Sequence, residues 1–395
     1  LEGAGIGAWW IPLAFCTLGG LIIGLWTKFF GGAPKDLEDV VATVKETGGY
    51  KLARPLSSIV GFFLPLVFGG SIGPEAGLTG IIVAGCTKIG DALRAMGLRI
   101  QGVADIAVSA ALSAVFATPL VGVVAAAEAE HPGDAGAAGK GELIDPHEYD
   151  FRRGAKIVLY AVAAVGAMGG VTLAGTILGS ESGLPHFEGA TPVLGDYIFF
   201  IPCVLLGYAC ALLYHVSSHG FRKASHALRG KTVLKPVIAG LVIGALAIFL
   251  PYVLFPGESQ CHELMENWAS MGAFAMILTG LLKCVATPLC LNFGWRGGHF
   301  FPIIFAGIIC GYGMAALSGA DPMFCVAVTT ASVVAGVQRK VLIALALLLL
   351  CFPVVDLFWM GLACVICVVL PMPKALLEKP VELVEPVKGT GTLTD

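Results

Sequence analysis

The chain has 395 residues, 57% hydrophobic and 13% charged, with a formal net charge of −3. A soluble domain carries a charged fraction of about 25%, so the composition points to an all-α polytopic membrane protein with the lipid bilayer as its first partner. The near-neutral charge offers no basic footprint for nucleic acid, and no such partner is expected.

Apolar segments follow one another at roughly 8–29, 55–69, 74–95, 103–127, 155–179, 193–217, 233–255, 269–291, 301–318, 322–337, 340–352 and 354–371, several of them shorter than the ~20 residues of a straight span. Short, Gly/Pro-interrupted segments in both halves suggest broken, tilted helices and inverted repeats. The halves share a pattern rather than a sequence: a span, a glycine-rich turn, then a helix. We therefore divide the chain into a first membrane repeat over 1–179, a second over 180–372 and a short polar tail over 373–395. The 53 glycines fit helices that pack closely or break.

The polar loops set the orientation. Loop 130–156 carries Lys140, Arg152, Arg153 and Lys156, and loop 218–235 carries Arg222, Lys223, Arg229, Lys231 and Lys235. The tail adds Lys374, Lys379 and Lys388, whereas 256–267 has Glu258, Glu263 and Glu266 and no Lys or Arg. The positive-inside bias places the first three in the cytoplasm and 256–267 outside, in a plasma (inner) membrane.

Two turns stand out. Gly70-Ser71-Ile72-Gly73-Pro74-Glu75 and Gly297-Gly298-His299-Phe300-Phe301-Pro302 each lead into an apolar helical run. Pro74 suits the first helical position, and Glu75 in the first turn complements the helix dipole. Gly297 and Gly298 permit close backbone approach. Taken alone, each turn reads equally well as an ordinary helix start. In a bilayer, free backbone N–H groups are tolerated only where they face protein or a wet cavity. Two such N-termini aimed at one point would form an anion site from backbone alone.

Further residues join these turns into a pattern. Gly298-His299-Phe300-Phe301-Pro302 fits the G-x-F-x-P signature of the CLC family of chloride channels and proton-coupled anion exchangers. Gly70–Pro74 resembles that family's G-K/R-E-G-P motif, and Phe30-Gly31-Gly32-Ala33-Pro34, followed by Lys35-Asp36-Leu37-Glu38, resembles G-S-G-I-P with its acidic stretch. Phe116-Ala117-Thr118-Pro119-Leu120-Val121-Gly122, then Glu128, resembles F-N-A-P-L-A-G and the acids that follow it. The order matches over roughly 10–370, starting inside the family's usual membrane domain. One or two earlier helices are therefore expected to be missing from a divergent prokaryotic-type member.

The resemblance implies a homodimer of two-repeat subunits, each with its own pore. It places a chloride-like inorganic anion, as ligand and substrate, near the amides of His299 and Phe300, those around Ile72 and Gly73, and near Ser71 and the separate Gly31-Gly32 pair. It requires no metal or organic cofactor. Departures from the family pattern bear on mechanism. Where exchangers carry a gating glutamate this chain has Ile72, which can block sterically but cannot titrate. The motif's basic residue is Ser71, and its anion-contacting serine aligns with Gly31. The inner proton-relay position aligns with Ala129, flanked by Glu128 and Glu130, either of which a one-residue shift would bring into register for proton handling. The pore tyrosine has no counterpart, since Phe358 and Trp359 are the last aromatics. Glu75, three residues after Ile72, is expected to cap its own helix; the alternative is a displaced gate. His299 adds an imidazole with an ordinary pKa of about 6.5.

Other features are read as structural. Cys203, Cys210 and Cys351 are among twelve cysteines, mostly inside apolar runs, expected to be buried free thiols; no metal or redox use is assigned to Cys364 and Cys367. His215, His219 and His226 lie where a span meets a basic loop, and we read a solvated helix end. Lys283, Asp105 and Asp356 are intramembrane charges without an assigned partner. No nucleophile–base pair or phosphate loop stands out, so an enzyme is not expected. The expected function is passive, uncoupled anion conduction, with Ile72 or Glu75 as gate. The alternatives are a proton-coupled antiporter using a displaced acid such as Glu75, and a transport-silent anion-binding or sensing scaffold. Chloride, bromide, nitrate and bicarbonate all remain possible substrates. Fluoride fits less well, because the family's fluoride exchangers keep the glutamate.

Overall fold

The computed structural model describes residues 10–31, 50–96, 103–115, 186–349 and 351–377, with scattered positions between 40 and 44 and between 158 and 176. The boundary between the two assigned repeats, loop 130–156 and most of the polar tail lie outside the described residues, as do the run 116–122, Gly32, Glu128 and Glu130.

The described residues form helices joined by short turns. In chain order these are α1 (Ile11–Phe29), α2 (Pro55–Val67), α3 (Glu75–Ala95), α4 (Val103–Val115), α5 (Phe200–Ala227), α6 (Leu234–Phe249), α7 (Glu258–Asn267), α8 (Ala273–Asn292), α9 (Phe300–Ser318), α10 (Pro322–Gln338), α11 (Val341–Leu348) and α12 (Leu357–Val369). Among the described residues, five stretches are long and apolar enough to cross a membrane: Ile11–Phe29, Glu75–Leu93, Asp196–Ala227, Ala273–Asn292 and Phe300–Ser318. This is the all-α polytopic architecture expected from composition, with shorter apolar helices between the full spans.

Burial sorts the helices. The span in α9 is 83% buried, whereas that in α1 is 28% buried. An evenly apolar helix belongs at a protein centre, and one with a single buried stripe belongs at the lipid boundary. Accordingly α9 and α10 pack together at the centre with α5, α8 and α12 around them. Local signals fix the ends of α10 and α9. Asp321 caps α10 by accepting a 2.7 Å hydrogen bond from the Phe324 amide, with Pro322 at the first helical position. Gly319 closes α9 in the left-handed region at φ 71°.

The α1 stripe Cys16, Gly19, Gly20, Ile23 and Gly24 is buried, and the helix packs antiparallel to α6. A Cβ on Gly20 would strike the Pro236 carbonyl, and one on Gly240 would strike that of Cys16. Backbones at this distance need small residues on both helices.

Candidate anion site

The chain leaves α2 through Phe68 and turns at Gly69, whose φ of 85° favours glycine. It then passes Gly70, against the Trp295 ring and the Pro65 carbonyl, and reaches Ser71, whose hydroxyl lies 3.1 Å from that of Thr287 on α8. Ile72 is fully buried in the apolar cluster of α1, α6 and α8 that contains Trp295, Cys16 and Ile243. Its side chain lies against Gly297 of the second turn.

The second turn starts where α8 ends. Gly294 takes φ 93°, and the Trp295 indole N–H donates to the Pro236 carbonyl at 2.9 Å. Gly297 and Gly298 then lead to His299 and the first turn of α9. The two turns are stitched together reciprocally: the Gly73 amide donates to the Gly298 carbonyl at 2.8 Å, and the Gly298 amide donates to the Gly73 carbonyl at 2.7 Å. Segments 225 residues apart thus form one short antiparallel bridge, with the N-termini of α3 and α9 beside it.

Glu75 reaches across this bridge. Its side chain is fully buried, and Oε1 accepts a hydrogen bond from the Phe300 amide at 2.6 Å. The amides of Phe301 and of Glu75 itself also face the carboxylate. Among the described residues, Oε2 has no hydrogen-bond partner. A carboxylate held by main-chain amides at a helix N-terminus satisfies orphan donors and the positive end of the dipole together. A Cβ on Gly73 or Gly298 would overlap the carboxylate, so these two glycines make the room in which it sits.

The remaining expected residues are placed differently. The Nε2 of His299 lies 2.8 Å from the Gln338 Nε2, with its ring stacked on Phe300 and near Tyr214. Gly31 takes φ 62°, its carbonyl accepts from Ser57 Oγ at 2.6 Å, and it lines a small cleft with Trp26, Thr27, Leu64, Gly294 and Arg296. His215 meets the Gly336 carbonyl at 3.3 Å, and Asp356 is buried, accepting from the Ala190 amide at 3.1 Å. Cys364 and Cys367 donate weakly to the carbonyls of Ala331 and Val204. Among the described residues, no group of three His, Cys, Asp or Glu is placed to hold a metal.

Thr287, Gln338 and Arg296 were not singled out from sequence. Arg296 had a usable signal, as a basic residue inside the second glycine turn. Thr287 and Gln338 had none, because each acts through a partner distant in the chain.

The family model described as "Voltage gated chloride channel" matches residues 19–371. Solved structures share the fold at low identity. A CLC-type fluoride/proton antiporter aligns with TM-score 0.66 and 17% identity, covering 90% of this chain and 85% of its own. A slow cyanobacterial Cl−/H+ antiporter gives 0.64 and 18%, covering 93% and 85%. A eukaryotic CLC transporter gives 0.61 and 15%, covering 93% and 64%. No curated protein matches the sequence.

Proposed function

The chain belongs to the voltage-gated chloride channel family, and on that premise we propose that it conducts a chloride-like anion through a seat made by the amides of Phe300 and Phe301. In the closed protein, the Glu75 carboxylate holds that seat. The observation that carries this reading is the 2.6 Å hydrogen bond from the Phe300 amide to Glu75 Oε1. A halide and a carboxylate are alternative ligands for the same helix N-terminus, so they compete. Protonation removes the charge that the amides stabilise, weakens the hold of Glu75 and admits the anion. On this reading Ile72 is a wall of the site and Glu75 its gate.

Coupled exchange needs a second acid to pass the proton to the other side. The aligned position is Ala129, which cannot titrate, so we propose uncoupled, acid-opened conduction. The same buried carboxylate favours coupled exchange as a second reading, and two of the solved structures that share the fold are a fluoride/proton and a Cl−/H+ antiporter. Purified protein in liposomes with an outward chloride gradient, a potassium ionophore and an internal pH dye separates the readings. Chloride efflux without uphill proton movement is expected. Proton pumping would replace the first reading with the second, and silence in both channels would reject transport.

We further propose a homodimer with one path per subunit and a cytoplasmic C-terminus, supported by the family resemblance and by the loop charges. Cross-linking in sparsely loaded membranes should trap a dimer. Monomer alone at every cross-linker dose would reject it.

A further inference from the structure

Lys283 lies in the middle of α8 and is fully buried. Its Nζ faces four consecutive main-chain carbonyls: Tyr252 at 2.9 Å, Val253 at 3.4 Å, Leu254 at 3.1 Å and Phe255 at 2.8 Å. The Phe305 ring of α9 covers the same ammonium, 4.7 Å from its centroid. Among the described residues no carboxylate pairs with it.

The hydrogen-bonded ammonium thus sits in a shell of main-chain oxygens of the kind that also coordinates a free cation. The three N–H donors of an ammonium are matched by the carbonyls of Phe255, Tyr252 and Leu254 at 2.8, 2.9 and 3.1 Å, the Val253 carbonyl stands close by at 3.4 Å, and an aromatic face lies beneath. The carbonyls leave the 3-10 turn Pro251–Val253 unpaired and on one side, and neighbouring carbonyl dipoles gathered in this way can replace a cation's hydration shell, as in selectivity filters. The segment that carries these carbonyls ends in unusual backbone: Phe255 takes φ 60°, which non-glycine residues rarely adopt, and Gly257 takes φ 107°.

We propose that the carbonyls of residues 252–255 form a monovalent-cation site whose resident ion is the tethered ammonium of Lys283. A potassium-sized ion, such as K+, NH4+ or Tl+, fits the same oxygens once the tether is removed. The site also has a place in the anion pathway's scaffold. The Phe255 amide donates to the Gly69 carbonyl at 3.2 Å, and Gly257 packs on Phe305 one turn beyond Phe301. Lys283 is therefore a positioning residue: it sets the loop that braces the first glycine turn from outside.

The test uses Lys283→Ala in detergent, at constant chloride, with the cation exchanged between N-methylglucamine, Li+, K+ and NH4+. Its apparent Tm should be low in N-methylglucamine and rise saturably by roughly 5 °C in K+ or NH4+, with little response to Li+. The wild type and Lys283→Arg should not respond. Crystals of Lys283→Ala soaked in Tl+ should show anomalous density at the four carbonyls. The Lys283→Gln variant separates charge from hydrogen bonding, since its amide donates without a charge. Lys283→Gln as stable as wild type in every salt, or Lys283→Ala that stays unstable or aggregated whichever cation is supplied, would overturn the proposal. These readouts need no anion transport, so they stand or fall separately from the Glu75 gate.

Discussion

Glu75→Gln is expected to raise anion flux at neutral pH about tenfold and to flatten its dependence on pH. In the wild type the Glu75 carboxyl group accepts from the Phe300 amide at 2.6 Å, and on the proposed function flux should fall as pH rises because the ionised form, which the amides hold more strongly, becomes more populated. Glutamine keeps the shape and an acceptor oxygen but cannot ionise. Hydrogen bonds to charged groups contribute about 1.5–3 kcal/mol and neutral ones about 0.5–1.5. The competitor is thus weakened by about 1.4 kcal/mol, or tenfold. The measurement is chloride efflux from proteoliposomes between pH 5 and 8. Glu75→Gln that tracks the wild type across that range would remove Glu75 from the seat. His299→Ala is the control, because His299 is the other titratable side chain at the second turn. Its ring packs on Phe300 and Tyr214 and meets Gln338, so its loss should leave the pH slope in place.

From sequence alone, capping and gating by Glu75 are alternatives. A carboxylate in the first turn of a helix caps that helix by local rule, and nothing in the spacing of Gly73-Pro74-Glu75 shows what stands opposite. In the structure the carboxylate faces the amide of its own helix start and the amides of a second helix 225 residues away. One carboxylate can meet both sets of amides because the Gly73–Gly298 bridge brings both N-termini together, and on the proposed function the cap is also the gate. The glycines themselves were legible, since each turn is local chemistry. Membrane context suggests that the two turns could converge and the family resemblance implies it, but the reciprocal Gly73–Gly298 pairing has no signal in the sequence. Ile72 shows the same limit. Its place in the motif suggested a plug, but its side chain goes to the apolar cluster around Trp295, as an isoleucine in low-dielectric surroundings should. Lys283 was visible as an oddity, a charge in an apolar run. Its partners are main-chain carbonyls, which no side-chain pattern reports.

Gly298→Ala is the second change with a large expected effect, and it tests whether Glu75 rests where it is placed. Gly298 does not adopt a left-handed φ, so alanine meets no backbone strain there. The cost is steric: the new Cβ would overlap the Glu75 Cγ, Cδ and Oε1. The backbone cannot retreat, because both main-chain groups of Gly298 are bonded to Gly73. The carboxylate must therefore leave its amides, and a buried charge without partners is destabilising. Overpacking alone costs about 1–3 kcal/mol, so the apparent Tm of Gly298→Ala should drop by several degrees and anion flux should lose its pH dependence. Glu75→Ala empties the space that the new methyl needs. The double variant Gly298→Ala/Glu75→Ala should thus be more stable than the sum of the single changes implies. Coupling between residues in contact is typically 0.5–3 kcal/mol, against about 0.3–0.5 for independent sites. Thermal unfolding of the four proteins in one detergent, at one scan rate, measures it. Strictly additive losses would mean that the Glu75 side chain does not lie against Gly298, and the gate would have to be sought elsewhere.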